Sequence, residues 1–376
     1  MKTLLRFFGG LVAMLLMSTA SFAAVFNYVV DHTGDNAAQA CTGAAADCSF
    51  RSALQLAGTD GDTTAITFLA SLYGGGAATI TAGSNWDNVF TGTTITGPGS
   101  GNIVLDMNSQ ADMLWLSSND NITITGLTIK NSKTYQCVSG TGSNLTITSN
   151  IILNCRTEGI AIGDGTAESN ITISGNTITN YGLAGSGTGS SQGIDVGYDH
   201  DTVTIASNNV GTTTSATPGD AIFVAAAATN VTIGGNNPSD GNTVTFAGVD
   251  AIRSASPSSV IKNNTISNAA TYGIQVSGDN FTVTSNTISN SAYGIEVDED
   301  SATVSNNVIT GSTQIGILVM GDNNVFSGDS VTSSTVDGIA IYKYLTYVPT
   351  GNSFTNETIT TSATGILFDG AGTTNN

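Results

Sequence analysis

Nine times between Glu158 and Phe368 the chain returns to one phrase: a small residue, an aliphatic residue, a variable residue and usually a second aliphatic one. It opens at Gly159-Ile160-Ala161-Ile162, closes at Gly365-Ile366-Leu367-Phe368, and starts again at Gly193, Ala221, Ala251, Gly273, Gly294, Gly316 and Gly338 between them. The spacing runs from 21 to 34 residues and settles at 22, 21, 22 and 22 from residue 251 to residue 338. One supersecondary unit fills a period of that length, so the chain is predicted to be a solenoid. Each unit carries a second beat, Asn-x-aliphatic, as in Asn176-Thr177-Ile178, Asn264-Thr265-Ile266 and Asn286-Thr287-Ile288. In a third beat Leu145/Ile147, Ile171/Ile173, Val203/Ile205 and Val231/Ile233 point one way, and Thr146, Thr172, Thr204 and Thr232 the other. A period of two is that of a strand with one buried face. Three short strands per repeat, with Asn and Gly at the bends, predict one rung of a parallel β-helix, and the length allows about eleven or twelve rungs.

This pattern resembles the right-handed parallel β-helix family, the pectin-lyase-like superfold, over roughly residues 90 to 376. The resemblance implies an all-β solenoid. It also implies that any activity resides on the outward face of one strand row, where such proteins mostly act on acidic polysaccharides by lyase, hydrolase or epimerase chemistry. Upstream, Cys48-Ser49-Phe50-Arg51-Ser52-Ala53 resembles the Cys-Ser-Leu-Arg-Glu-Ala segment that opens many bacterial surface β-helix proteins, with Ser52 replacing the glutamate. Phe50, Ala53, Leu54 and Ala57 share one helical face, and Ser49 is placed to cap the helix. A first rung exposes an apolar core and an unpaired strand edge, so residues 24–88 are expected to form a cap, a short helix plus a strand laid across that rung. Residues 89–376 form the β-helix. No matching device is legible at the C-terminus, which leaves an unrecognised cap, a cap supplied by a partner, or a truncated frame.

Residues 1–23 read as a secretory signal: Lys2 and Arg6 precede the apolar run Phe7 to Met17, and Ser21-Phe22-Ala23 offers small residues for cleavage. No later stretch approaches the apolar length of a membrane span, so a secreted or cell-surface protein is expected. Without Lys2 and Arg6, seven basic side chains face 28 acidic ones, a net charge near −21, which repels a polyanion such as nucleic acid. Four cysteines in an exported chain predict two disulfides, Cys41 with Cys48 and Cys137 with Cys155 one rung apart. The alternative for the second pair is two free thiols on adjacent rungs.

In the repeated phrase the third position faces outward, placing Ala161, Asp195, Phe223, Arg253, Gln275, Glu296, Leu318, Ala340 and Leu367 in one row. Asp195, Arg253 and Glu296 are then two rungs apart in turn, about 10 Å per step. Arg253, with Lys343, is the cation available to a lyase. For a hydrolase the close carboxylates are Asp195 with Asp199 or Asp201, and Asp298-Glu299-Asp300. The string from Asp195 through Tyr198 to Asp201 resembles, in altered order, the Tyr-Gly-Phe-Asp-Pro-His string of mannuronan epimerases. Aligning rungs puts Asp201 with the turn residues Asn144, Asn170 and Asn230, and His200 at a solvent-facing corner with Ser143 and Ser169. No cofactor is called for; Asp298-Glu299-Asp300 is the candidate for Ca²⁺, although Asp279 and Asp322 at the same corner favour a solvated turn. The Asn of the Asn-x-Ile beat is expected to stack at a left-handed bend, and Tyr272 to stack on Tyr293. Tyr342, Tyr344 and Tyr347 leave the strand into a longer loop suited to sugar stacking, with a wall-hugging loop as the alternative. Scarce cations and a Thr/Ser/Asn-clad wall favour a binding or adhesion module for a polysaccharide or cell-surface glycan. The alternative is an acidic-polysaccharide lyase or epimerase using Asp195, Tyr198, His200 and Arg253.

Overall fold

The computed structural model describes residues 25–61, 63–112, 114–116, 120–163, 168–183, 191–197, 199–211, 219–343 and 347–369. The secretory segment, Tyr198 and Tyr344 lie outside the described residues. The chain winds through three parallel sheets of 13, 12 and 11 strands, each strand pairing with its counterpart one rung away. The alternating strands build the first sheet, the Asn-x-Ile strands the second and the small-Ile-x-aliphatic strands the third. Register holds the apolar columns together: Ile171 pairs with Val203 and Val203 with Val231, Ile152 with Ile178, and Ile194 with Ile222 and then Ile252. These columns are buried in one continuous core.

The small residue of the phrase is a packing requirement. A Cβ at Gly273 would lie 2.5 Å from Ile288 Cγ2, and one at Gly294 the same distance from Ile309 Cγ2. The buried asparagines stack as expected. The Nδ2 of Asn176 donates to Asn208, Asn208 to Asn242, Asn242 to Asn264 and Asn264 to Asn286, each at 3.0 Å, and each also donates to a backbone carbonyl. The left-handed residue is the one before the stacked asparagine, as at Gly175, Ser207, Asn263 and Ser285. The bend is therefore made one position earlier than expected, and the asparagine behind it is free to use both ends of its amide on the backbone.

Ser49 caps the helix Phe50–Asp60 by accepting from the Ser52 N–H, and Phe50, Ala53, Leu54 and Ala57 are buried, as their spacing predicts. The strand Val25–Val30 does not cross the first rung. It pairs in parallel with Thr63–Phe68 as one more strand of the first sheet, so Val25, Phe26 and Val29 remain exposed. Both disulfides form, Cys41–Cys48 and Cys137–Cys155, so the alternative of free thiols falls.

Candidate active site

The third sheet carries the outward row in the predicted register. Trp115 pairs with Ser139, then Ala161, Asp195, Phe223, Arg253, Gln275, Glu296, Leu318, Ala340 and Leu367 follow rung by rung. Asp195, Arg253 and Glu296 are thus two rungs apart in turn. Arg253 lies over the Phe223 ring, 5.5 Å from its centroid. Glu296 faces outward but is only 2% exposed, held by Gln275 Nε2 at 2.5 Å and by the Tyr272 hydroxyl.

A second column, unread in the sequence, stands three residues before this row and supplies more acids: Glu158, Asp220 and Asp250, all buried. The Asp250 N–H donates to Asp220 Oδ1 at 3.1 Å, and the Tyr272 N–H to Asp250 Oδ1 at 3.0 Å, so each carboxylate is oriented by the rung above. Burial holds the Asp195 carboxyl up at about 7, and the charges of Glu158 and Asp220 push it the same way. Burial raises Asp250 to about 7 as well, aided by Asp220. Burial also raises Asp220, while the Asp250 N–H and Arg253 pull it back towards ionisation. The charges that act on Asp195 are therefore those of Glu158 and Asp220. The missed signal is an acid directly before the small residue, as in Glu158-Gly159, Asp220-Ala221 and Asp250-Ala251.

The other candidates divide. His200 aligns with Glu168, not with Ser169, and Thr202 takes the left-handed turn assigned to Asp201. The imidazole is buried, 1% exposed, with Nδ1 3.4 Å from Glu168 Oε2; it is not at a solvent-facing corner. Asp201 accepts from Thr229 Oγ1 and Asn230 Nδ2 at the exposed start of its first-sheet strand, His200–Ala206. Tyr272 and Tyr293 stack with centroids 5.0 Å apart. Tyr342 does not leave the strand: it is the last residue of Asp337–Tyr342 and packs against Ile315, Leu318 and Ala340. Tyr347 is 44% exposed and lines a cleft of about 460 Å³ with Asp298, Glu299, Asp300 and Met320. Asp300 Oδ1 accepts the Asp322 N–H at 2.6 Å, and Asp279 Oδ1 the Asp300 N–H at 3.3 Å, the geometry of a repeated acidic turn. Among the described residues no three His, Cys, Asp or Glu side chains are placed to hold a metal ion. No described helix is long and apolar enough to cross a membrane.

Three solved structures illustrate the likeness. The catalytic domain of a GH87 alpha-1,3-glucanase variant in complex with nigerose superposes with a TM-score of 0.64 at 15% identity, over 92% of this chain and 67% of that one. An alginate lyase from Paenibacillus sp. str. FPU-7 gives 0.49 at 16% identity, over 85% of this chain and 98% of that one. The A-module of mannuronan C-5 epimerase AlgE4 from Azotobacter vinelandii gives 0.46 at 12% identity, over 87% and 94%. No curated protein sequence matches the chain. The family described as right handed beta helix region matches residues 47–238, 188–331 and 293–375. With those matches running almost the length of three sheets stacked rung on rung, the chain belongs to the right-handed β-helix family.

Proposed function

We propose that the outer face of the third sheet is the active site of a polysaccharide hydrolase acting on a neutral glycan. The observation that carries this is the carboxylate cluster Asp195, Asp220 and Asp250 on successive rungs, with Asp220 and Asp250 buried beside Arg253 and each oriented by a backbone N–H. Glycoside hydrolysis needs one carboxyl that keeps its proton near neutrality and one that does not. Asp195, held up at about 7 and partly open to solvent, supplies the first. Asp220 is assigned the second: burial raises it, and the Asp250 N–H and Arg253 are the groups beside it that favour its charged form. As the glycosidic C–O bond breaks, Asp195 protonates the leaving oxygen and water attacks the anomeric carbon while yielding its proton to Asp220. Microscopic charge balance is kept, because one carboxyl loses the proton that the other gains.

Lyase or epimerase chemistry on a uronate fits this surface less well. It would seat a substrate carboxylate among Glu158, Asp195, Asp220, Asp250 and Glu296 with Arg253 as the counter-charge, and His200 is buried against Glu168, closed to a substrate. The scarcity of cations, which on sequence grounds favours adhesion, weighs against acidic substrates but not against hydrolysis. The likeness to a glucanase catalytic domain supports a glycan-acting enzyme over an adhesion module. The test is a panel of neutral glucans beside alginate and pectate, assayed for new reducing ends and for unsaturated uronates. Reducing ends from a neutral glucan, lost in Asp195→Asn and declining as pH rises through about 7, are expected. Unsaturated products from alginate or pectate, or tight glycan capture indifferent to Asp195→Asn with no turnover, would sink the proposal.

A further inference from the structure

The first third-sheet strand, Leu114–Leu116, places Trp115 at the head of the row that leads to Asp195. Three rung steps separate them, about 14 Å, and the row between holds only Ser139 and Ala161. In the first rung, residues 83–90 run where a third-sheet strand would lie, and the Val89 N–H donates to Trp115 O at 2.8 Å. This segment brings Asn85, Trp86 and Asn88 against Trp115 and Asp112, enclosing a cleft of about 270 Å³.

The cleft is braced from behind by the N-terminal segment. Arg51 forms an ion pair with Asp35 at 2.6 Å and donates to the carbonyls of Ser84 and Asn85. Asp35 Oδ1 accepts the Trp86 indole N–H at 2.9 Å, and Asp35 Oδ2 the Gly83 N–H at 2.8 Å. Asn85 and Asp112 hold each other through two hydrogen bonds, Asp112 N–H to Asn85 Oδ1 at 2.9 Å and Asn85 Nδ2 to Asp112 Oδ2 at 3.2 Å. Asp112 Oδ1 is buried and has no partner among the described residues. Trp86, buried and edge-on to Phe50, forms the inner wall of the cleft, and the half-buried Trp115 presents its ring to it. An aromatic ring beside fixed amide and carboxylate groups is the chemistry that binds a sugar, by its C–H face and its hydroxyls.

From this geometry we infer that the Trp86–Trp115 cleft is a remote sugar subsite, which seats a unit of a neutral glycan chain lying along the solenoid axis with its scissile bond at Asp195. The inference rests on the hydrolase reading for the direction of the chain, but not for the binding itself. A hexose unit and a β-helix rung are similar in length, so the cleft and the carboxylates are a few sugars apart. Short oligosaccharides cannot occupy both.

Trp86 and Trp115 are the two tryptophans of the whole chain, so intrinsic tryptophan fluorescence reports on this cleft alone. The probes are linear gluco-oligosaccharides with α-1,3, α-1,4, β-1,3 and β-1,4 linkages, from disaccharide to octasaccharide. One series is expected to shift the emission, more tightly as the chain lengthens. Trp115→Ala should weaken that binding about tenfold and flatten the length dependence of kcat/KM. Trp115→Phe, which keeps a ring, should restore most of both, and circular dichroism checks that each variant is folded. Asp195→Asn should keep the emission change while losing turnover. Turnover of a series that leaves the emission untouched would overturn the subsite and spare the hydrolase. An emission change without turnover in the wild type would support the subsite and sink the hydrolase. Equal affinity in the wild type and Trp115→Ala would overturn the subsite.

Discussion

The buried asparagine ladder and the acidic face of the third sheet are built on the same rungs, yet they behave oppositely. In the ladder each side chain is a neutral amide that donates at one end and accepts at the other, so identical neighbours satisfy one another from Asn150 to Asn307. On the acidic face each side chain, once ionised, only accepts, so burial raises its proton affinity and the charge of stacked neighbours raises it further. Repetition stabilises the first column and strains the second. A solenoid therefore shows its structural residues where the repeat is kept, and its candidate chemistry where the repeat puts like charges together. The two meet at Asp329, an acid in the ladder position. It accepts from Asn307 through N–H at 2.7 Å and Nδ2 at 2.9 Å, but offers its own N–H to Glu357 at 3.0 Å.

The contrast can be broken most sharply by exchanging charge for amide on each side of it. Asp220→Asn should lower turnover by about two to four orders of magnitude, the usual worth of a general base, with little change in melting. If both fall together, the carboxylate is structural. Asn264→Ala should do the reverse. It removes the acceptor of the Asn242 N–H and the donors to Ile233 O and Asn286, destabilising by about 2 to 5 kcal/mol in denaturant titration. A loss under about 0.5 kcal/mol would mean the ladder is ornament.

Smaller effects come from the mixed position. Burial raises Asp329 from 3.8 to about 6, and burial with the charge of Asp329 raises Glu357 from 4.5 to about 7. A carboxyl whose folded pKa exceeds its unfolded value holds its proton more tightly when folded. Its contribution is complete below about pH 4 and is lost as pH rises to about 6 or 7. Asp195, Asp250 and Asp298, all raised to about 7, add in the same direction. Thermal stability should therefore decline across that window, and a curve that rises instead would contradict the buried placement of these acids. Asp329→Asn, which extends the ladder by one amide, should stabilise by about 1 to 2 kcal/mol at pH 7 and by little at pH 4.

The rung, its three strands, the inward isoleucines, both disulfides and the capped helix at Phe50 were legible in the sequence, because each follows from local period or spacing. The outward row was legible too from Ala161 to Leu367, since alternation fixes the face of every residue once one is known, while Trp115 and Ser139 join it only through the register of the first rungs. A one-residue slip at Thr202 hid the burial of His200, because the loop ahead of it varies in length and alignment from the turn asparagines alone does not constrain it. Nor could the period announce Glu158, Asp220 and Asp250: they precede the phrase, and only the stacking of rungs brings them beside Asp195. The Trp86–Trp115 cleft likewise joins residues 29 apart through the winding of the first two rungs. Sequence alone determined what repeats within a rung, because that is set by backbone geometry and hydrophobic pattern. What lies between rungs, and hence which charges share a site and which are forced to keep their protons, was decided by the coil of the chain, since proximity and burial exist only once the rungs are stacked.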